Sequence, residues 1–276
     1  MTLLGAAQIR ELAAQLDLKP SKSLGQNFVI DSNVCTKIVR TAGVTSDDIA
    51  LEIGPGLGSL TLAMLEVAQS VIAVEIDSRL AQQLPITVAQ HFEHPENLTV
   101  INMDALAVNE LPVAPTVLVA NLPYNVSVPV LLHLLEKFPT LRTGVVMVQA
   151  EVADRLAAKP GGKEYGIPSV KAAWWADVKN VGTVSRSIFW PAPNVDSKLV
   201  GFMRRETAGS EESRAKVFTI IDAAFAQRRK MLRSALSSLY GSSSAAEAIL
   251  IKAGIDPTLR GEALQIESFC KIAAVA

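Results

Sequence analysis

The sequence predicts an α/β protein in which a mostly parallel, doubly wound sheet is followed by a small helical domain. Between residues 49 and 157, short apolar runs rich in β-branched residues alternate with helical patterns. Strands that alternate with helices of this length are typical of βαβ units. A polar stretch at 207–212 then precedes a helical, basic region. Since chains above about 250 residues usually divide, we expect one domain over 1–206 and a second over 207–276.

The individual elements follow from hydrophobic spacing and from residues that start or stop helices. We expect a helix over 6–16, a basic hinge over 19–22, and a second helix that Asp31 caps and Gly43 ends. The predicted strands are Ile49–Ile53, Val71–Ile76, Leu98–Ile101, Val117–Ala120, Val145–Val148, Val178–Val184 and Leu199–Phe202. The predicted helices among them are 58–69, 77–91, 127–137 and 150–157. Pro85 lies inside the second of these helices and predicts a kink or a break there.

Composition argues against several classes of protein. No apolar stretch reaches the ~20 residues that a membrane helix needs, and Gln8, Arg10 and Glu11 interrupt the N-terminus, unlike a secretory signal. The 2 cysteines make neither a disulfide framework nor a spaced metal pair. His91 and His94 have no further ligand residue nearby, so we interpret them as surface residues and expect no metal. We expect a cytoplasmic protein and a monomer.

Glycines cluster between the first predicted strand of the sheet and the helix that follows it. Gly54, Gly56 and Gly58 form a G-x-G-x-G pattern at this turn. Glycine permits positive φ angles and lets a ligand approach the backbone closely. The pattern predicts a nucleotide- or nucleoside-binding loop. On its own it is also compatible with a tight strand–helix turn that binds nothing.

Three residues beyond these glycines distinguish between possible cofactors. Glu75 ends the next strand, where a carboxylate can bind ribose hydroxyls, and Asp104 follows the third strand, where it can accept a hydrogen bond from an adenine amino group. A dinucleotide-binding loop needs Gly or Ala at position 59, but the sequence has Ser59. The spacing suits S-adenosyl-L-methionine, which has no pyrophosphate. We therefore predict this cofactor, and an NAD-dependent oxidoreductase is the disfavoured alternative.

A second motif, Asn121-Leu122-Pro123-Tyr124, follows the fourth strand at the edge of the sheet where such folds bind ligands. The Asn121 side-chain oxygen and the Leu122 carbonyl can each accept one hydrogen from an adenine N6 amine. These two bonds would favour a pyramidal nitrogen whose lone pair points at the methyl donor. Pro123 fixes the backbone, and Tyr124 offers a face on which an extracted base can stack. The alternative is a turn with a local side-chain bond and a buried tyrosine.

Taken together, these motifs resemble the KsgA family, the ribosomal RNA small-subunit adenine dimethyltransferases. The resemblance covers nearly the whole chain. Besides the motifs above, it includes 24–29, Glu164-Tyr165-Gly166 and Phe189–Ser197, the last with the pattern F-x-P-x-P-x-V-x-S. The combination restricts the candidates to ribosomal RNA adenine dimethyltransferases, a group that also contains the erythromycin-resistance enzymes of the large subunit. The C-terminal segment 224–233 resembles the small-subunit branch.

The resemblance implies a Rossmann-like class I methyltransferase fold with a seven-stranded, mostly parallel sheet. It implies that Gln26, Asn27 and Val29 bind the cofactor, the last two at its methionine part, and that Asn121 lies at both cofactor and substrate. Phe189 would face the motif's tyrosine across the target base. The implied activity is transfer of methyl groups to N6 of two adjacent adenosines near the 3′ end of small-subunit (16S) ribosomal RNA. The implied partner is this RNA within an assembling small subunit, and neither DNA nor a membrane is expected.

A basic run in the C-terminal region predicts the RNA-binding surface. Arg228, Arg229, Lys230 and Arg233 occur with no acidic residue among them, on what we interpret as a helix. Arg229 and Arg233 are four apart and would then share a face. Such a helix beside an active site would neutralise phosphates and make binding salt-dependent. The alternative is a charged face that only contacts water.

Two further alternatives stay open. One is a ribosome-assembly or RNA-binding factor for which methylation is dispensable. The other is dimethylation of large-subunit RNA, which would confer macrolide resistance. For an assembly factor, substitutions that abolish methylation would leave the cellular role intact. For a large-subunit enzyme, the methylated RNA would be found in the large ribosomal subunit and not in the small one.

Overall fold

The computed structural model describes residues 2–18 and 26–276. The predicted basic hinge at 19–22 and the start of the motif at 24–29 lie outside the described residues. The strands are β1 (Phe28–Val29), β2 (Ile49–Ile53), β3 (Ser70–Glu75), β4 (Leu98–Asn102), β5 (Val117–Asn121), β6 (Thr143–Gln149), β7 (Ala176–Val184), β8 (Phe189–Trp190) and β9 (Ser197–Arg204). The α-helices are α1 (Ala6–Gln15), α2 (Ser32–Ala42), α3 (Ser59–Leu65), α4 (Ser78–His91), α5 (Ser127–Lys137), α6 (Ala150–Leu156), α7 (Ile167–Ala172), α8 (Glu211–Ala226), α9 (Leu232–Ala235), α10 (Ser237–Tyr240), α11 (Ser243–Lys252) and α12 (Ile266–Val275).

A seven-stranded sheet organises the protein, with the strand order β4-β3-β2-β5-β6-β9-β7. Neighbouring strands from β4 to β6 are parallel, and β9 runs antiparallel to β6. The chain builds outward from β2 through β3 and β4, then returns to the other side of β2 with β5 and β6. The strand order therefore reverses between β2 and β5, and ligands of open α/β sheets bind at the carboxyl ends of strands at such a point. The predicted fold class is confirmed.

Local signals in the sequence account for the helices that flank this sheet. The Asp31 carboxylate accepts hydrogen bonds from the backbone of Asn33 and Val34 and so begins α2, and Gly43 ends it in the left-handed conformation (φ 68°). Of the kink or break expected at Pro85, the break does not occur, because helix α4 continues through this residue. Proline removes only one backbone donor there, and the buried residues of α4, such as Leu84, hold it against the core.

The amino ends of three sheet strands are tied together by Asp48, a buried carboxylate that precedes β2. It accepts hydrogen bonds from Arg142 Nη2 at 2.6 Å, from Thr116 Oγ1 at 2.6 Å and from the Thr45 backbone at 2.8 Å. Thr116 precedes β5 and Arg142 precedes β6. Burial alone would raise the pKa of Asp48, but these hydrogen bonds outweigh it and lower the pKa to about 2. The ionised carboxylate therefore stabilises the fold.

The packing of the chain divides the protein into two units, 1–153 with 180–203 and 154–179 with 204–276. The second unit thus includes 154–179, which lies in the first of the domains that the sequence predicts. Trp174 and Trp175 explain this grouping, because both are buried and contact Phe218 of α8 edge-on, with ring centroids 5.9 and 5.6 Å apart. The division of catalysis and RNA binding between two domains stays a prediction.

The basic run does not lie on one helix, which corrects the sequence-based expectation. Helix α8 ends at Ala226, residues 227–231 form a turn, and Arg233 lies on the short helix α9. Arg229 and Arg233 therefore do not share a helical face. Arg228 explains the turn: its guanidinium donates to the backbone carbonyls of residues 162 and 163, which fixes the chain where a helix would otherwise continue.

Candidate active site

The glycine loop lies between β2 and α3, at the point where the strand order reverses. Gly54, Gly56 and Gly58 have φ angles of 69°, 57° and 98°, a region that other residues enter at a cost of about 1–2 kcal/mol. A Cβ atom on Gly56 would lie 2.9 Å from the Phe28 ring, and one on Gly58 would lie 2.8 Å from Leu84. Glycine is therefore required here both by backbone conformation and by space.

Glu75 ends β3 beside this loop and is 5% exposed. One carboxylate oxygen accepts a hydrogen bond from the Gly56 backbone at 3.1 Å, and the other accepts one from the Asp77 backbone at 2.9 Å. Burial raises the pKa of Glu75, and these backbone hydrogen bonds oppose the shift. Each oxygen has a further lone pair with which it can accept a hydrogen bond from a ligand.

A pocket opens at this edge of the sheet, entirely within the first unit. The predicted site residues that line it are Gln26, Asn27, Val29, Gly54, Gly56, Glu75, Asp104, Asn121 and Pro123. Among the predicted cofactor-binding and catalytic residues, those outside its lining are Gly58, Leu122, Tyr124 and Phe189. Gly58 instead contacts α4, as its distance to Leu84 indicates. The structure thus brings together residues from five separate stretches of the sequence.

Sequence reasoning missed the role of Glu52, which also lines the pocket and is 2% exposed. Burial raises its pKa to about 8, although the Thr61 hydroxyl donates a hydrogen bond to it at 2.6 Å. A carboxylate inside an apolar strand, directly before the glycine loop, was the available signal. With Glu75 and Asp104, it gives the pocket three carboxyl groups, and none of the described residues that line it is Lys, Arg or His. Since a pKa of about 8 leaves Glu52 mostly neutral at pH 7, it adds hydrogen-bonding capacity to this lining and little charge. Carboxyl groups with no cation among them fit a ligand that carries hydroxyl groups and positive charge, and they disfavour a pyrophosphate.

Asn121, the last residue of β5, has a defined side-chain orientation. Its Nδ2 donates a hydrogen bond to the Asn27 backbone carbonyl at 3.0 Å. Because a carbonyl only accepts, the amide nitrogen must face Asn27, and Oδ1 is left to accept a hydrogen bond from another group. The next residue is held by its backbone, since Leu122 N donates to the Met147 carbonyl at 3.1 Å. No hydrogen bond to the Leu122 carbonyl is seen from the described residues.

The two aromatic residues of the predicted site are held by different contacts. The Tyr124 hydroxyl lies 2.7 Å from the Ser197 hydroxyl. Phe189 belongs to β8, which pairs antiparallel with β1 so that Phe189 lies opposite Val29. Opposed residues of a ladder place their side chains on the same face, and Val29 lines the pocket. Phe189 therefore shares a face of this ladder with Val29, and it is buried, at 3% exposed, outside the pocket lining.

The four basic residues of the predicted RNA surface divide into two kinds. Arg228 forms an ion pair with Glu262 at 2.9 Å, and Arg233 forms one with Glu247 at 3.3 Å. Arg229 and Lys230 are exposed, and within the described part of the chain neither forms an ion pair. Arg229 and Lys230 are therefore the members of the run whose charge is available to a polyanion.

Comparison with known proteins identifies the family. The family model for ribosomal RNA adenine dimethylase matches residues 18–276. The chain belongs to this family. Among its relatives is ribosomal RNA small subunit methyltransferase A of Streptomyces griseus, which is 60% identical over 274 residues, or 98% of this chain and 94% of the relative. The predicted family and enzyme class, a ribosomal RNA adenine dimethyltransferase, are confirmed.

Two solved structures have the same fold as this chain. A dimethyladenosine transferase from Plasmodium falciparum is 26% identical, with a TM-score of 0.74 over 89% of this chain and 95% of that one. The 23S rRNA methyltransferase ErmE is also 26% identical, with a TM-score of 0.67 over 90% of this chain and 98% of that one. Family and fold imply the use of S-adenosyl-L-methionine and a ribosomal RNA substrate. Among the described residues, none of the helices has the length and apolarity to cross a bilayer.

Proposed function

We propose that this protein transfers methyl groups from S-adenosyl-L-methionine to N6 of two adjacent adenosines near the 3′ end of small-subunit ribosomal RNA. The product is N6,N6-dimethyladenosine, formed during assembly of the small subunit. The observation that carries the proposal is the fixed orientation of Asn121 at the rim of a carboxylate-lined pocket. It puts an amine-binding oxygen next to a site suited to a cationic nucleoside. The small-subunit relatives, such as that of Streptomyces griseus at 60% identity, support this choice of RNA.

The cofactor would lie across the carboxyl ends of β2 and β3. It supplies a methyl group on a positively charged sulfonium. Glu75 would accept hydrogen bonds from both ribose hydroxyls, because its two oxygens are already oriented by the Gly56 and Asp77 amides. Asp104 would accept from the adenine amine, and Asn27 and Val29 would bind the methionine part. The absence of a side chain on Gly54 and Gly56 lets the backbone approach the ligand.

The target amine would be held at the turn after β5. Asn121 Oδ1 accepts one N6 hydrogen, and the Leu122 carbonyl accepts the other. Conjugation with the ring makes an adenine N6 lone pair a poor nucleophile, and two such bonds favour the pyramidal nitrogen that reacts. No strong base is required, because the alkylated amine is acidic and loses its proton to water. Catalysis by this chain then consists of positioning and electrostatics.

The base itself would be held by stacking between aromatic rings. Enzymes that act on a base within RNA or DNA extract it from its stack into a pocket. Tyr124 would form one face of that pocket and Phe189 the other, and Pro123 would keep the Leu122 carbonyl in place. Arg229 and Lys230 would contact phosphates and contribute affinity without reading sequence. Arg228 and Arg233 would support this surface through their ion pairs.

Transfer of labelled methyl groups to purified ribosomal subunits tests the proposal. Small and large subunits that lack their adenine dimethylation are incubated separately with enzyme and labelled cofactor, and the RNA is digested to nucleosides. We expect dimethyladenosine in the small subunit alone. Label in the large subunit would instead assign the protein to the activity named for ErmE. Cofactor binding without label in either subunit would favour a non-catalytic assembly factor.

A further inference from the structure

One contact at the site that the proposed chemistry does not explain joins two hydroxyls from distant parts of the sequence. The Tyr124 hydroxyl lies 2.7 Å from Ser197 Oγ, and the two residues are separated by 73 positions. Ser197 is 1% exposed, so its hydroxyl must find its partner within the protein. Burial raises the pKa of Tyr124, and the hydrogen bond between Tyr124 and Ser197 opposes that shift. The tyrosine ring is thus held at both ends, by its backbone and by its hydroxyl.

Ser197 itself is rigidly placed. It begins β9 and lies opposite Gln149 of β6 in the antiparallel ladder. The preceding carbonyl, of Asp196, accepts a hydrogen bond from the Ala150 backbone at 2.9 Å. Since β6 pairs in parallel with β5, which ends at Asn121, the serine and the amine-binding turn are anchored to the same part of the sheet.

One segment of chain, 186–197, places both aromatic faces of the proposed base pocket. Its start carries Phe189, which the β1–β8 ladder fixes, and its end carries Ser197. Arg186 braces this segment, because its guanidinium contacts the Asn194 carbonyl at 3.2 Å and the Asp196 carboxylate at 3.0 Å. Phe189 and the hydroxyl partner of Tyr124 therefore belong to one loop, which Arg186 holds together.

We propose that Ser197 is a positioning residue for methyl transfer, which holds the Tyr124 ring in the plane where the target adenine stacks. A hydrogen bond at the far end of a tyrosine ring removes rotamer freedom that the partly buried side chain would otherwise keep. A ring that is already fixed does not have to be ordered when the base enters, so more of the bound bases are in reactive geometry. The inference rests on the stacking role proposed above for Tyr124.

Ser197→Ala and Tyr124→Phe each remove one side of this hydrogen bond and keep the ring. In methylation of small subunits, each variant should lower kcat by about tenfold while it remains folded, with the cofactor Kd unchanged. The double variant should lose no more than either single variant, because both remove the same bond. Ser187→Ala, in the same segment but exposed, is the matched control and should keep full kcat.

Several outcomes would overturn this inference. One is an unchanged kcat in Ser197→Ala. Another is a double variant whose loss is the product of the two single losses, which would mean that the hydroxyls act independently. If Ser197→Ala does not fold, Tyr124→Phe carries the test alone, and its full activity would overturn the role. Tyr124→Ala separates this inference from the proposed function: activity retained there would refute stacking itself.

Discussion

Replacing Glu75 by glutamine tests the cofactor half of the site most sharply. The change keeps the shape of the side chain but removes its charge and one of its two acceptor oxygens. Hydrogen bonds to a charged group contribute about 1.5–3 kcal/mol and neutral ones about 1 kcal/mol. Losing one bond to ribose and weakening the other should therefore cost about 3 kcal/mol, or roughly a hundredfold in cofactor Kd.

The magnitude also follows from the surroundings of Glu75. Its oxygens face two backbone donors, Gly56 N at 3.1 Å and Asp77 N at 2.9 Å. An amide nitrogen would have to face one of them, so the variant cannot recover the lost acceptor by rotating. Isothermal titration with S-adenosyl-L-methionine measures the effect. Glu66→Gln, an exposed position at the end of α3, makes the same change of charge outside the pocket and should leave Kd unchanged. A Glu75→Gln protein that is folded and binds within about threefold of the native Kd would refute the proposed ribose contact.

Two further predictions concern stability and RNA binding. The folded-state pKa of Asp48, about 2, lies below its unfolded value, so the carboxylate stabilises the protein above about pH 4 and this contribution is lost as the pH falls through about 2. Asp48→Asn should lower the free energy of unfolding, measured in urea, by about 2 kcal/mol at pH 7 and by less at pH below about 4. The control Asp47→Asn, at an exposed position, should have little effect. An equal loss of stability at every pH would contradict this prediction. Arg229→Glu combined with Lys230→Glu should weaken small-subunit binding by at least about tenfold and reduce its salt dependence, with cofactor Kd unchanged. Lys271→Glu, exposed elsewhere in the same unit, is the control, and native binding by the double variant would remove these residues from the RNA surface.

The sheet and the cofactor pocket were predictable because their signals are local. A run such as Val117–Ala120 is apolar throughout because helices cover both faces of a parallel strand. Three glycines in one turn indicate a backbone with positive φ angles, which other residues rarely adopt. The roles of Glu75 and Asp104 could be predicted because each residue lies at the carboxyl end of a strand, where such sheets bind their ligands. These features need no knowledge of distant contacts.

The features that sequence reasoning missed depend on contacts between distant residues. Nothing near Ala226 signals the end of α8, because the turn that follows is held by Arg228 and carbonyls more than sixty positions earlier. Strands β1 and β8 have two residues each, too few to show a periodicity. Ser197 ends the pattern F-x-P-x-P-x-V-x-S, but its hydrogen bond to Tyr124 depends on how β9 and β5 are placed in the sheet, which the sequence pattern does not reveal.

The proposed site divides into a half that binds the cofactor and a half that binds the target amine. Asn121→Ala, assayed on small subunits, tests this directly because turnover and cofactor Kd are measured on the same protein. Removing a group that orients the reacting amine should lower kcat by about a hundredfold or more, while cofactor Kd stays within about threefold of the native value. A loss of cofactor affinity as large as that of Glu75→Gln, or a turnover close to native, would contradict the role assigned to Asn121.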